Sequence, residues 1–127
     1  MSFDPFGKAL CNYWEKTQEN RSKHPSSITH TSESFSPICG DKVKCEARIE
    51  NDILVEVGMY PTGCFYCDAC VAIVMERFVG KPMSEIVNFT EVDLFNLLDT
   101  TLQGHIPEQR HYCASMGWRA LKALEPK

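Results

Sequence analysis

The protein has 127 residues, of which 43% are hydrophobic and 24% are charged, and this length and composition are those of a single globular domain. Its 17 acidic and 13 basic side chains leave a formal net charge of -4, so no basic face can be assembled to bind a nucleic acid backbone or an anionic membrane. No apolar run approaches the roughly 18 residues that a membrane-spanning helix requires. We therefore expect no nucleic acid and no membrane as partner.

The chain contains seven cysteines, although a domain of this size needs no disulfides to hold a core. The first twenty residues include Asp4, Glu15 and Glu19 and lack the pattern of a secretory signal or an arginine-rich transit peptide. This predicts a cytoplasmic protein, in which an odd number of cysteines favours reduced thiols. Metal binding or sulfur chemistry is then the expected use of the cysteines.

The N-terminal part predicts a helix followed by a polar arm. Apolar side chains recur at helical spacing over Phe6–Lys16. Residues 18–37 are rich in Ser, Thr and Pro and have no apolar period, so they predict an extended, partly mobile arm. A short strand near Phe35 is the one regular element that this arm could contain.

The strongest pattern in the chain is the alternation of apolar and charged side chains over residues 43–60. Asn51 and Asp52 interrupt it where a tight turn fits, so the segment predicts an antiparallel hairpin. A helix from Tyr66 to Val79 follows, and Gly80 ends it.

Three more helices are predicted in the C-terminal half. Met83–Phe89 forms a short one, and Thr90 with Asp93 starts another by a variant of the capping box, closed at Gly104. The last helix carries an apolar stripe over residues 113–124.

These elements predict an α+β fold, because the helices cluster after a hairpin instead of alternating with strands. The expected architecture is a small antiparallel sheet, made of the hairpin and a possible third strand, with helices packed on one face. Residues 1–127 are expected to form one domain, with the polar extended arm at about 18–37.

Three cysteines lie at predicted element boundaries: Cys39 before the first strong strand, Cys64 between strand and helix, and Cys113 at the start of the last helix. A thiolate near a helix N-terminus is stabilised by the free amides and the dipole there, which suits Cys64 and Cys113 to bind a soft metal or to react with sulfur. Asp41 adds an oxygen ligand two residues after Cys39. Three thiolates and one carboxylate complete a four-coordinate zinc site, or leave one exchangeable position on a cluster.

One ordered set of motifs resembles a known family. It consists of Pro37-Ile38-Cys39-Gly40-Asp41, then Gly63-Cys64 after a hairpin, then Cys113 at the start of a terminal helix. This order is similar to that of the U-type iron-sulfur cluster assembly scaffolds, the IscU, SufU and NifU N-terminal type, and the resemblance covers nearly the whole chain.

The resemblance implies a function and a ligand set. Cys39, Asp41, Cys64 and Cys113 would bind a transient 2Fe–2S or 4Fe–4S cluster, with Asp41 keeping it labile. Iron is supplied separately, and sulfur arrives from a cysteine desulfurase as a persulfide. Cys113 is the first candidate to accept this sulfur and Cys64 the second. The cluster then passes to apo iron-sulfur proteins, and the scaffold has no turnover of its own.

Two other functions remain open at this stage. In the SufU branch of the same family, the four side chains hold zinc and the protein is a sulfur acceptor for its desulfurase. The alternative outside the family is an electron carrier with a permanent cluster on Cys64, Cys67 and Cys70, whose spacing is that of metal ligands. The expected state is a monomer or weak oligomer.

Two residues are weaker candidates for the site. His111 lies one residue before the position where IscU-type scaffolds carry a histidine, and it could approach the metal. Cys67 lies one helical turn after Cys64, so it packs in the core, relays a persulfide or forms a disulfide with Cys64.

Overall fold

The computed structural model describes residues 7–37 and 40–127. Helices and strands follow one another along these residues with short connections. In chain order they are α1 (Lys8–Asn20), β1 (His30–Phe35), β2 (Lys42–Glu50), β3 (Ile53–Thr62), α2 (Phe65–Phe78), α3 (Met83–Asn88), α4 (Glu91–Leu102), a single 3₁₀ turn (Glu108–Arg110), α5 (His111–Lys122) and β4 (Glu125–Pro126).

The predicted hairpin is confirmed. Strands β2 and β3 pair antiparallel, with Cys45 opposite Met59 on the buried face. Asn51 and Asp52 form the turn with φ values of 52° and 64°, the left-handed conformation that a two-residue type I′ turn requires. The apolar positions of both strands therefore face one side of the sheet.

Strand β1 lies inside the sheet although its sequence is polar. The strand order is β3-β2-β1-β4 and every pairing is antiparallel. The strand expected near Phe35 is therefore present. It begins at His30 and α1 reaches Asn20, so regular structure occupies both ends of the segment predicted as a polar arm. Strand β1 is held by backbone hydrogen bonds to β2 on one side and β4 on the other. Such pairing does not require an apolar pattern, so the sequence of β1 does not show it.

Helix α2 lies at the centre of the core. Nine of its fourteen residues are buried, and it packs against β3, α1 and α5. Helix α5 approaches α2 closely at Gly117, where a Cβ atom would lie 3.0 Å from Val74 Cγ2 and 3.3 Å from the Val71 Cα. The packing of α5 on α2 thus depends on the absence of a side chain at this position.

The end of α2 differs slightly from the prediction. The helix stops at Phe78, and Val79 is already extended. Gly80 has φ 83° and donates its N–H to the Leu54 carbonyl at 2.7 Å, so this glycine connects the helix end to β3 instead of capping the helix.

The remaining helix predictions are confirmed. Met83–Asn88 is helical, and Thr90 and Asp93 bond reciprocally in a capping box at the start of α4. Together the helices and the antiparallel sheet make the α+β fold that the sequence predicts. Within the described residues, no helix is long and apolar enough to span a bilayer.

Gly117→Val should lower the free energy of unfolding by about 1–3 kcal/mol, because added methyl groups overpack the contact between α2 and α5. Urea denaturation followed by circular dichroism measures the change. Gly104→Val is the control, since a Cβ at Gly104 meets no atom within 4 Å. Equal midpoints for the two variants would show that the crossing is not tight.

Candidate metal centre

Three of the predicted ligands converge at one end of the sheet. One carboxylate oxygen of Asp41 and the Sγ atoms of Cys64 and Cys113 all lie within 4.8 Å of one another. Asp41 immediately precedes β2, Cys64 is the N-cap of α2, and Cys113 lies in the first turn of α5. Residues distant in the chain are therefore brought to one point by the packing of a strand and two helices.

Asp41 is held in place by the backbone of the segment that carries Cys64. Its Oδ2 accepts a hydrogen bond from the Cys64 N–H at 3.1 Å. A Cβ at Gly63 would lie 2.8 Å from the Asp41 Cγ and 2.9 Å from Oδ2, so only glycine allows this approach. The first free amide of α2 is thus satisfied by the carboxylate, as the positive end of a helix favours.

The three side chains differ in their access to solvent. Asp41 is 9% exposed and Cys113 is 4% exposed, whereas Cys64 is partly exposed. A metal ion or a bulky sulfur donor would therefore meet Cys64 first. The site is closed on the side of Asp41 and Cys113 and open on the side of Cys64.

Cys39 lies outside the described residues. Ser36, Pro37 and Gly40 belong to the connection between β1 and β2. Gly40 has φ 76° and donates its N–H to the Ser36 carbonyl at 3.0 Å, and the Ser36 N–H bonds to the Asp41 carbonyl at 2.8 Å. These bonds fix the backbone that immediately precedes Asp41.

His111 is not part of the group formed by Asp41, Cys64 and Cys113. Its Nε2 lies 3.0 Å from the Ile106 carbonyl, and its ring stacks on Phe95 with a centroid distance of 4.3 Å. The first turn of α5 is thus anchored by His111, while Cys113 two residues later faces the site.

Cys67 lies beside the group without belonging to it. It is 1% exposed in the first turn of α2. Burial raises the pKa of its thiol well above the usual range, and the negative charges of Asp68, Cys64, Asp41 and Cys113 raise it further. Cys67 is therefore a neutral thiol next to the ligands.

The other cysteines show no such convergence. Cys45 faces the core from β2, and burial raises its pKa to about 12. Burial likewise raises the pKa of Cys70, which lies farther along α2. Cys11 is a free thiol on α1. Buried thiols of raised pKa are poor nucleophiles and poor ligands.

A set of polar contacts between Asp68 and the C-terminal end of α1, here called the polar brace, was not predicted from the sequence. Asp68 on α2 is 6% exposed, and its Oδ2 lies 3.5 Å from the Arg21 guanidinium and 3.4 Å from the Gln18 amide. Thr17 donates its hydroxyl to the Asp68 carbonyl at 2.6 Å, and Arg21 also donates to the Pro61 carbonyl. An acidic residue in the apolar first part of α2, before Glu76 and Arg77, was the available signal.

Aromatic stacking adds a second link between the same two helices. The rings of Trp14 and Phe65 are nearly parallel, with centroids 5.6 Å apart. Phe65 directly follows Cys64, so α1 supports the start of α2 through both its polar and its apolar side chains.

The donor set combines two soft sulfur atoms with one hard oxygen atom. Sulfur ligands suit zinc, iron and iron-sulfur clusters, whereas a carboxylate binds hard cations and exchanges more readily on a soft centre. Fold and site together define a small α+β domain in which two thiols and one carboxylate lie close enough together to hold a metal ion.

Residues 12–124 match the family model described as NifU-like N terminal domain. The chain therefore belongs to this family, which confirms the resemblance seen in its cysteine motifs. An iron-sulfur cluster assembly scaffold protein IscU of Aquifex aeolicus (strain VF5) is 30% identical over 88 residues, covering 68% of this chain and 53% of that protein. The match thus spans about half the length of that curated relative.

Two solved structures share the fold. An iron-sulfur cluster assembly scaffold protein for the SUF system from Fervidobacterium islandicum AW-1 superposes with a TM-score of 0.72 at 17% identity, covering 91% of this chain and 93% of that one. A nitrogen-fixing NifU-like protein (N-terminal) from Brucella abortus gives 0.71 at 13% identity, covering 92% and 89%. These likenesses confirm the predicted fold class.

Gly63→Ala should weaken divalent metal binding at least about tenfold, because the new methyl group displaces the Asp41 carboxylate from the Cys64 amide. Titration with Co²⁺, followed by its thiolate charge-transfer absorbance, gives the affinity. Gly104→Ala adds the same methyl group in open space and should bind as the unmodified protein does. Equal affinities for the two variants would contradict a role of Gly63 in the site.

Asp68→Asn should increase the stability of the metal-free protein at neutral pH relative to the unmodified protein. Burial raises the pKa of Asp68 despite the opposing effect of Arg21, so the ionised form costs folding free energy above that raised pKa. The stability difference should shrink as the pH falls toward about 4, where the native carboxyl becomes neutral as well. Urea denaturation at several pH values measures it, and a difference that grows on acidification would refute the argument.

Proposed function

We propose that the protein is a scaffold on which an iron-sulfur cluster is assembled and then passed to apo iron-sulfur proteins. Sulfur would come from a cysteine desulfurase, and the work would take place in the cytoplasm, where thiols stay reduced. The observation that carries the proposal is the convergence of Asp41, Cys64 and Cys113 on one point. The family membership and the curated relative described as a scaffold support it.

The proposed cluster ligands are Cys39, Cys64 and Cys113, with Asp41 as the exchangeable oxygen ligand. Cys39 is assigned on its place in the chain, two residues before Asp41. The hydrogen bonds among Ser36, Gly40 and Asp41 support this assignment, because Gly40, the residue after Cys39 in the chain, directly precedes Asp41 of the converged group. We propose that residues 1–127 act as one domain, as a monomer or weak oligomer.

Transfer of the cluster, as opposed to its permanent storage, fits the donor set. Among sulfur ligands, a carboxylate oxygen forms the weakest bond to a soft metal centre. The bond to Asp41 would therefore open more easily than the bonds to the cysteines. The open side at Cys64 would let a recipient protein approach the same cluster. Both features favour assembly followed by release.

The differing exposure of the two sulfur acceptors orders the steps. Cys113 is the acceptor that the family resemblance favours, but only 4% of it is exposed. Cys64 is partly exposed at the N-cap of α2. We propose that a persulfide donor reaches Cys64 first, and that Cys113 shares the sulfur as a neighbouring ligand.

Three single variants, Cys39→Ser, Cys64→Ser and Cys113→Ser, should each abolish cluster formation. A hydroxyl does not replace a thiolate as a ligand of a cluster iron. The measurement is anaerobic reconstitution with iron, cysteine and a desulfurase, read by visible absorbance and by transfer to an apo-ferredoxin. Cys11→Ser is the matched control, since Cys11 is a free thiol on α1 and should leave the yield unchanged. Equal losses in all four variants would contradict the ligand assignment.

The same donor set also fits zinc, because three thiolates and one carboxylate complete a tetrahedral shell. This favours a second candidate, a zinc-dependent sulfur acceptor for a cysteine desulfurase. About one tightly held zinc per chain after anaerobic purification, no visible absorbance on reconstitution and faster desulfurase turnover would support it over the scaffold.

A further inference from the structure

Cys64 and Cys67 form a thiol pair across the first turn of α2. Cys64 is the N-cap residue and Cys67 is the third residue of the helix. The first thiol is partly exposed and the second is 1% exposed. An accessible and a buried cysteine at a helix N-terminus, separated by two residues, are the arrangement of a dithiol that exchanges with disulfides.

The geometry allows a bond between the two sulfur atoms. The side chain of an N-cap residue lies over the first turn, next to the third helical residue, and side chains in a helix lean toward its N-terminus. Cα atoms three residues apart in a helix are about 5 Å apart, within the range that a disulfide spans. Both thiols are free in the structure.

Cys67 has a different character from the proposed ligands. Its Sγ is not part of the group within 4.8 Å that Asp41, Cys64 and Cys113 form. Burial keeps it protonated, so it does not compete as a thiolate for the metal. What distinguishes Cys67 from the other buried thiols is its place one turn from an accessible cysteine, because proximity to a sulfur atom bound there offsets the small thiolate fraction that burial leaves.

We propose that Cys67 is a catalytic residue that reduces a persulfide on Cys64 to sulfide, the oxidation state that an iron-sulfur cluster requires. The proposal rests on the proposed function, since it assumes that sulfur is delivered to Cys64. In this step the thiols of Cys64 and Cys67 supply the two electrons for sulfide formation, which a separate reductant would otherwise supply.

The step is balanced within the chain. The Cys67 sulfur attacks the Cys64 Sγ, the bond from Cys64 to the terminal sulfur breaks, and a Cys64–Cys67 disulfide forms. The terminal sulfur leaves with the bonding pair and takes up the Cys67 proton, so Cys64–S–SH and Cys67–SH give the disulfide and H₂S. The delivered sulfur gains two electrons, and the two cysteine thiols supply them.

The direction of attack follows from the leaving group. Attack on the Cys64 Sγ expels hydrosulfide, whereas attack on the terminal sulfur expels the Cys64 thiolate. Hydrosulfide is less basic than an ordinary cysteine thiolate, and the less basic leaving group leaves faster. An external dithiol must then reduce the disulfide before Cys64 can bind metal again. Sulfide release and metal binding at Cys64 therefore alternate.

The experiment uses the full chain, reduced, metal-free and anaerobic. Inorganic tetrasulfide loads the accessible cysteines, gel filtration removes the excess, and sulfide release is followed with time. Peptide mapping by mass spectrometry locates persulfides and disulfides. Cys70→Ser is the matched control, because Cys70 is buried to the same degree on the same helix but lies farther from Cys64.

We expect the unmodified protein to release about one sulfide per chain and to form the Cys64–Cys67 disulfide, as an intramolecular exchange would. Cys67→Ser should keep its persulfide on Cys64 and release sulfide at least tenfold more slowly, whereas Cys70→Ser should behave as the unmodified protein does. Circular dichroism checks the fold of both variants, and disulfide mapping in the unmodified protein tests the proposal without any substitution.

Three results would overturn the proposal: undiminished release from Cys67→Ser, a disulfide from Cys64 to Cys113, or a stable persulfide on Cys67. The assay contains neither iron nor a desulfurase. Failed cluster reconstitution together with normal sulfide release would therefore count against the proposed function alone, and the reverse pair of results would count against the role of Cys67 alone.

Discussion

The site depends on one close contact, between the Asp41 carboxylate and the backbone at Gly63 and Cys64. A carboxylate can reach the first amide of α2 only because residue 63 has no Cβ. This contact ties the start of β2 to the start of α2, and the packing of α5 on α2 at Gly117 then fixes where Cys113 lies. Two glycines, at positions 63 and 117, thus allow the close approaches that bring the three proposed ligands together.

Burial sets the chemistry of the site as much as position does. Asp68 on α2 contacts Arg21 at the end of α1. Burial of the Asp68 carboxylate costs free energy, as its raised pKa indicates. Buried ion pairs of this kind contribute little net stability, but they define how two helices fit together. Here the fit positions the N-terminus of α2, which is the part of the helix that carries Cys64.

The sequence predicts those parts of the fold that rest on local pattern. Alternation revealed the hairpin, and capping residues revealed the start of α4. Strand β1 was visible only near Phe35, because its support is backbone pairing to two neighbours. The convergence of Asp41, Cys64 and Cys113 followed from the order of motifs in a known family, since no periodicity relates residues on three separate elements. Asp68 could be noticed as an acidic residue in an apolar stretch of α2, but no local pattern names Arg21 as its partner, because the two residues are 47 positions apart in the chain.

A metal ligand and a reducing thiol make opposite demands on cysteine. A cysteine that binds a metal must be reachable by the ion, whereas a cysteine that attacks a neighbouring persulfide needs proximity to that sulfur and no access for other reagents. The first turn of α2 meets both demands with residues three apart, because the N-cap residue Cys64 is partly exposed and Cys67, the third helical residue, is buried. The start of the helix therefore separates an accessible thiol from a buried one, and the two proposed roles rest on that difference in exposure.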